Sequence, residues 1–254
     1  MHLGTLIAIG NTAKIYLSEN KIVKLYNDYL PETEASYEAS KQKCAYTCGL
    51  SVPKILDITK IDGKQALIME YVKGRTIGDL VSDEMDQAEY YMNISVEIQQ
   101  KIHQTVVANE FEPMTEKLSR QIASAHTLDN RHKSALLHKL ETMTFEKRLC
   151  HGDYHLYNLI MSDNKVTIID WVDASVGDIR ADVYRTYLLY LQFSVELADL
   201  YLRLYCEKSG LLKEEVLQWA PIIAGARLAE HVPAEKSERL MEIVNQHLRN
   251  ERDF

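Results

Sequence analysis

The chain has 254 residues, of which 46% are hydrophobic and 26% charged, the proportions of a globular protein. A formal net charge of −8 argues against nucleic acid as a partner, because phosphate backbones demand a basic face. The same sign favours a cationic ligand through field focusing in an acidic cleft. No apolar run approaches the length of a membrane span. The stretch Met1-His2-Leu3-Gly4-Thr5-Leu6 lacks the basic flank and apolar core of a signal peptide. A cytoplasmic protein with no membrane partner is therefore expected. Cys44, Cys48, Cys150 and Cys206 fit neither a CxxC redox pair nor a zinc set, and reduced thiols are expected.

In chain order, Thr5–Ile9 and Ala13–Leu17 read as strands around the turn-like Gly10-Asn11-Thr12, and Lys21–Tyr26 as a third strand. Pro31-Glu32-Thr33-Glu34 opens a helix, with Pro suited to a first turn and acids to the positive end, and Gly49 closes it. Val52–Lys60 and Gln65–Tyr71 are strands joined at Asp62-Gly63, a hairpin signal. From Thr76 onward the period becomes helical, over Ala88–Val107, Met114–Leu128 and Asn130–Thr142. A loop and a short hairpin follow. Helix returns over Asp178–Leu197 and continues through most of the chain to Arg249. The pattern predicts an α+β layout of two lobes, residues 1–73 and 74–254, with the boundary near Lys73-Gly74-Arg75 and a ligand cleft between them.

The loop and hairpin hold the chemistry. Leu149 to Asn158 reads LCHGDYHLYN, and Val166 to Trp171 reads VTIIDW. Phosphoryl transfer needs a carboxylate near the attacking hydroxyl and two oxygen ligands that hold magnesium on the phosphates. The protein-kinase template places the base first, an Asn five positions later, and an Asp after an apolar strand. Asp153, Asn158 and Asp170 occupy those positions. A kinase also needs a strand lysine for the phosphates and a helix glutamate to hold it. Lys24, inside Ile22-Val23-Lys24-Leu25-Tyr26, is costly to place among apolar neighbours without a carboxylate or phosphate. Glu38 or Glu34 can meet it. No Walker A pattern occurs, which excludes a P-loop enzyme. A zinc site built from His151, Asp153 and His155 lacks the H-E-x-x-H spacing and has no use for Asn158.

The fixed positions His151, Gly152, Asp153, His155, Asn158, Ile169, Asp170 and Trp171 form H-G-D-x-H-x-x-N followed by I-D-W. This fingerprint resembles the aminoglycoside phosphotransferase and choline kinase superfamily of protein-kinase-like small-molecule kinases. The resemblance implies a small β-rich nucleotide-binding lobe and a larger helical lobe with the catalytic loop and acceptor helices. It implies ATP as cofactor, with GTP a second candidate because the hinge reads the base through backbone groups, and Mg2+. Asp153 is then the catalytic base, with Asn158 and Asp170 the magnesium ligands. The run from Glu38-Ala39 to Gly49-Leu50-Ser51-Val52-Pro53 matches the family register and selects Glu38 as the partner of Lys24. Ile68–Val72 becomes the hinge, where Glu70 and Val72 offer backbone groups and Met69 packs behind the base. Gly10 is what remains of a glycine loop.

His151, His155, Asp178 and Asp182 are implied as supports of the catalytic loop, the last two in Gly177-Asp178-Ile179-Arg180-Ala181-Asp182, where Ile179 replaces the family's Pro. Capping a helix explains Asp178 equally well. For the acceptor the candidates are Asp173, Arg227 and Glu230. Tyr154, Tyr157, Tyr184, Tyr187 and Tyr190 are either helix packing or rings for cation–π contact. The implied function is O-phosphotransfer to a small-molecule hydroxyl, aminoglycoside-like in the first instance. Choline, homoserine or a sugar is the alternative acceptor, and a nucleotide-binding protein with vestigial or regulatory phosphotransfer the alternative class. The motifs leave the oligomeric state open.

Overall fold

A computed structural model describes residues 3–107, 111–230, 232 and 235–250. The chain divides into two compact units. One runs up to Met85 and includes Leu156–Asp173; the other comprises Asp86–His155 and the chain from Ala174 onward.

The first unit is built on the strands β1 (Thr5–Ile9), β2 (Ala13–Ser18), β3 (Lys21–Tyr26), β4 (Ile55–Ile61) and β5 (Lys64–Glu70), with helix α1 (Glu34–Thr47) between β3 and β4. They form an antiparallel sheet in the order β1-β2-β3-β5-β4. Its two central strands are buried on both faces. Tyr26, Leu67 and Met69 pack with Ala35 and Ala39 of α1 on one side, and Val23, Leu25, Ala66 and Ile68 pack on the other. Two-sided burial is why β3 and β5 read as near-continuous apolar runs rather than alternating ones. Asp62 and Gly63 take φ of 49° and 82°, the pair of positive values a type I′ hairpin requires. Gly49 ends α1 at φ 82°, with Leu50 N donating to Ala45 O at 3.2 Å and Gly49 N to Tyr46 O at 3.0 Å, a Schellman closure.

The same unit holds β6 (Arg75–Thr76), helix α2 (Ile77–Asp83), and, after the 3₁₀ turn Leu156–Asn158, the hairpin strands described below. Thr76 caps α2, accepting from Asp79 N at 3.0 Å.

The second unit contains α3 (Ala88–Gln104), α4 (Met114–Ser124), α5 (Asn130–Thr142) and the short strand β7 (Arg148–Cys150). The hairpin β8 (Leu159–Ser162) and β9 (Lys165–Ile168) returns to the first unit, pairing with β6 in the order β6-β8-β9. Strand β10 (Ser175–Gly177) then pairs with β7 in the second. Helices α6 (Ile179–Tyr190), α7 (Val195–Ser209), α8 (Lys213–Leu217), α9 (Ala220–Arg227) and α10 (Ser237–Asn250) complete it. Helix α3 packs on α7, and α9 on α4 and α10.

Three predicted helices are shorter than their periodicity suggested. The one from Ala88 ends at Gln104 because Thr105 is extended, and the one from Met114 stops at Ser124 before an extended Ala125. The predicted Asp178–Leu197 helix is two: α6 ends at Tyr190, and Ser194 caps α7 by accepting from Leu197 N at 3.1 Å. Hydrophobic period alone does not register such a break, because both helices bury the same kind of residue. No described helix is long and apolar enough to cross a membrane.

Candidate active site

The side chain of Lys24 shares a face of β3 with that of Tyr26, since alternate residues of a strand point the same way. Both meet α1. Lys24, 7% exposed, donates to Glu38 Oε1 at 2.7 Å and to Asp170 Oδ1 at 3.1 Å. Tyr26 Oη donates to Glu38 Oε2 at 2.6 Å. Glu38 thus holds two donors and is itself 1% exposed. Burial by itself lowers the Lys24 value, but the carboxylates of Asp170 and Glu38 outweigh it and push the amine well above the ordinary lysine value. The two carboxylates thus favour the charged form of the lysine. The expected Lys24–Glu38 pair is present, and the contacts from Asp170 and Tyr26 were not anticipated. The Tyr26 contact was readable as an i, i+2 neighbour of Lys24.

Asp170 ends the β8–β9 hairpin in a left-handed conformation, φ 62°, which Asp tolerates better than most residues. Ile169 N donates to Asn158 O at 3.0 Å, so the backbones of the two predicted magnesium ligands are tied together one residue apart. Lys41 Nζ of α1 donates to Val172 O at 2.6 Å and anchors the segment beyond Asp170. Asn158 is buried and the Asp170 side chain is 38% exposed. An amide oxygen and a carboxylate are the hard ligands that Mg2+ takes, so the donor set fits that ion. Asp173 lies three residues on and is half-buried.

At the predicted hinge, Glu70 N donates to Lys54 O at 3.0 Å and Tyr71 N to Asn20 O at 3.3 Å. Met69 is buried, with Gln42 Nε2 at 3.8 Å from its sulfur, and Val72 is half-buried. Gly10 N donates to Ala13 O at 2.9 Å, closing the β1–β2 turn. The turn is braced at the next residue, where Asn11 O accepts from Tyr29 Oη at 2.5 Å and Asn27 Nδ2 at 3.0 Å. A Cβ on Gly10 would come no nearer than 3.5 Å, to Ala13 O, so the turn does not depend on glycine.

In the second unit, β7 leads into His151-Gly152-Asp153. Gly152 adopts φ 81°, which favours glycine. Its N donates to Asp182 Oδ1 at 2.7 Å, while Asp182 Oδ2 accepts from His103 Nε2 at 2.9 Å, Gln99 Nε2 at 3.2 Å and His151 N at 3.4 Å. Burial pushes the Asp182 carboxyl up, but His103 and the Gly152 amide outweigh it and bring it down to about 2. A carboxylate only accepts, so His103 Nε2 carries the proton, and Nδ1 accepts from Tyr205 Oη at 2.5 Å. Asp182 anchors the backbone at His151 and Gly152, and His103, Gln99 and Tyr205 orient it. Sequence reasoning missed these three, which come from helices far away in the chain.

Asp153 is half-buried, with His155 Nε2 at 3.5 Å from Oδ2, and its N donates to His151 Nδ1 at 3.3 Å. Burial raises its pKa, but His155, then Arg185 and His151, outweigh it and hold the carboxyl well below the usual carboxylate range. Asp178 caps α6 through Arg180 N at 2.8 Å, and also accepts from Arg180 Nη2 at 2.5 Å and Trp219 Nε1 at 3.1 Å. Cys150 Sγ donates to its carbonyl at 3.6 Å. Among the described residues, His103, Cys150 and Asp182 bring metal-ligand types within 4.8 Å of one another. His103 and Asp182 already bond each other, and burial pushes the Cys150 thiol well up, so this is a protonated hydrogen-bonding node. His151, Asp153 and His155 form no such grouping among the described residues.

Of the acceptor candidates, Arg227 and Glu230 meet at 2.6 Å, and Arg185 joins Glu230 at 2.8 Å. Arg227 is buried rather than a solvated helix charge. Arg185 was not anticipated, although a lone guanidinium between Tyr184 and Tyr187 in an otherwise apolar run was a signal for it. Tyr154, Tyr184 and Tyr190 are core residues; Tyr154 Oη donates to Ser95 O at 2.6 Å. Tyr157 is 49% exposed, against Gly78 in the first unit.

Several solved structures share this fold. A thermostable mutant of aminoglycoside phosphotransferase APH(4)-Ia, in ternary complex with AMP-PNP and hygromycin B, matches with TM-score 0.71 at 14% identity over 95% of this chain and 92% of that one. A choline/ethanolamine kinase family protein from Mesorhizobium loti gives 0.64 at 15% over 97% and 87%. Amicoumacin kinase hAmiN, in complex with AMP-PNP, Ca2+ and Ami, gives 0.62 at 16% over 96% and 86%. No curated protein matches the sequence. The family model described as phosphotransferase enzyme family matches residues 5–219. The α+β chain thus has the protein-kinase-like fold and belongs to the phosphotransferase enzyme family, as an enzyme that transfers phosphate to an alcohol group of a small molecule.

Proposed function

We propose that the protein transfers the γ-phosphoryl group of ATP, bound with Mg2+, to a hydroxyl group of a small-molecule acceptor. The observation that carries this reading is the set Lys24–Glu38–Asp170, in which Lys24 and Glu38 are buried. It presents a charged lysine for the nucleotide phosphates beside a carboxylate suited to a divalent ion. AMP-PNP in the similar structures supports an adenine nucleotide over GTP. The metal, when bound, neutralises charge on the phosphate oxygens. Asn158 and Asp170 would hold it, and Lys24, oriented by Glu38, would bind the α- and β-phosphates.

Asp153, kept ionised, accepts a hydrogen bond from the acceptor hydroxyl, aligns it and takes its proton. His151, His155, Asp178 and Asp182 keep that loop in place. Met69, Glu70 and Val72 are assigned to the base, and Gly10 to the phosphates. Residues 1–73 serve as the nucleotide lobe and 74–254 as the catalytic and acceptor lobe of a cytoplasmic enzyme.

The similar proteins carry hygromycin B, amicoumacin or a choline/ethanolamine kinase name. At such low identity the acceptor has to be argued from this chain. An amino sugar is supported by the net charge of −8 and by Asp173. Arg185 and Arg227, buried in the unit that holds Asp153, weigh against it. Measuring ADP release over a panel of alcohols, with nucleotide and Mg2+ varied, tests the function. No nucleotide binding and no acceptor-dependent ADP release would remove it.

A further inference from the structure

The buried positions of α1 are Ala35, Glu38, Ala39, Lys41, Gln42 and Ala45. Lys41 is the cation among them, 2% exposed. An ammonium in such a place carries a desolvation cost that a leucine or methionine would not. Packing therefore does not explain it. Its Nζ lies 4.1 Å from the centre of the Tyr37 ring and donates to Val172 O at 2.6 Å. That carbonyl stands two residues beyond Asp170, in the same compact unit.

Asp170 needs such a hold. At φ 62° its Cβ crowds the following carbonyl, and a backbone of this kind persists where its flanks are fixed. Ile169 N, bonded to Asn158 O at 3.0 Å, fixes the near flank, and Lys41 fixes the far one. The contacts then close a ring. Lys24 joins Asp170 Oδ1 at 3.1 Å and Glu38 Oε1 at 2.7 Å. Glu38 and Lys41 stand three residues apart on α1, and so are neighbours on its surface. Lys41 returns through Val172 to Asp170. One turn of α1 thus holds Lys24 with a carboxylate and the Asp170 segment with an ammonium.

We infer that Lys41 is a positioning residue for the divalent ion: by holding Val172 O it fixes the backbone from which the Asp170 carboxylate projects, in register with Lys24. It acts through Asp170 and not on the metal itself. The inference rests on the metal-dependent phosphotransfer proposed above and adds to it a residue that assembles the site.

The test uses the full chain with Mn2+ as a paramagnetic probe. Protein-bound Mn2+ is titrated by electron paramagnetic resonance in the presence of AMP-PNP, and AMP-PNP is titrated separately without metal. Lys41→Met keeps the apolar stem and removes the donor. It should raise the Kd for Mn2+ on the order of 10-fold, the scale for groups that orient metal ligands, while metal-free AMP-PNP affinity stays at the wild-type value. Lys41→Arg, which keeps a charged donor, should recover most of the Mn2+ affinity. In an Asp170→Asn background, Lys41→Met should weaken Mn2+ no further, because the ligand it positions is gone. A clamp that only stabilises the fold predicts a lower Tm with Mn2+ affinity unchanged. Wild-type Mn2+ affinity in Lys41→Met, an equal loss of metal-free AMP-PNP binding, or a full additional loss on top of Asp170→Asn overturns the inference. If Lys41→Met does not fold, Lys41→Gln decides: its shorter, neutral donor should weaken Mn2+ by at least about three-fold, and wild-type affinity overturns the inference. Failure of the wild type to bind AMP-PNP removes the phosphotransferase function itself. Wild-type Mn2+ affinity in Asp170→Asn removes Asp170 as a metal ligand, and the role of Lys41 with it.

Discussion

Asp182→Asn is the most incisive perturbation of the loop proposed to be catalytic. The carboxylate accepts from two backbone amides, Gly152 and His151, and from the side chains of His103 and Gln99. An asparagine presents one oxygen and an NH2, so at least one buried donor faces another donor. Breaking a buried charged network in this way costs about 3–5 kcal/mol. Part of that cost depends on pH. A carboxyl lowered from 3.8 to about 2 in the folded protein contributes roughly 2.5 kcal/mol at neutral pH. Because the folded value is depressed, the contribution is complete above the unfolded value and is lost as pH falls through 3.8 toward 2. At pH 3 it should have fallen by roughly 1 kcal/mol. Urea denaturation of wild type and variant at pH 7 and pH 3 reads this directly, and the gap between them should narrow by that amount at the lower pH. Since Gly152 N is positioned by this bond, kcat should also fall by on the order of 10- to 100-fold. A variant with wild-type stability and turnover, or a gap that does not change with pH, would refute the reasoning.

Glu38→Gln should raise KM for ATP and leave acceptor affinity unchanged, with a stability loss of about 1–3 kcal/mol, softened because Lys24 keeps its bond to Asp170; kinetics with each substrate varied separately check it. Asp153→Asn should fold and bind nucleotide but lose turnover by on the order of 10²-fold or more. Because the wild-type carboxyl lies well below the usual range, the acid limb it sets in a kcat/KM profile should lie below that range too. Gly152→Ala forces a Cβ into a left-handed backbone at φ 81° and should cost about 1–2 kcal/mol, whereas Gly10→Ala should be nearly silent in thermal melts. Chelating the divalent ion should abolish ADP release, and Asp170→Asn should raise the Mg2+ concentration needed for half-maximal rate.

Local chemistry made much of this protein readable in advance. Asp62-Gly63 specified its hairpin because type I′ turns demand two positive φ values, and Gly49 specified the end of α1 for the same steric reason. The His151-to-Asn158 motif and the Ile169-Asp170-Trp171 segment stood out as a family fingerprint because their residues lie at fixed spacing along one short stretch. Lys24 could be singled out because an amine inside an apolar strand requires a partner.

Relationships between distant segments were beyond that reach. Gln99, His103 and Tyr205 carry no local mark of function, yet folding gathers them around Asp182. Arg227 stood in the sequence as an acceptor candidate, with no local sign that burial on α9 would join it to Arg185 and Glu230. The break between α6 and α7 was hidden because one apolar period continues across it. Propensity, turn geometry and motif spacing act over a few residues, so sequence alone fixes them. Burial and charge pairing depend on which surfaces meet, and packing within each unit settled that.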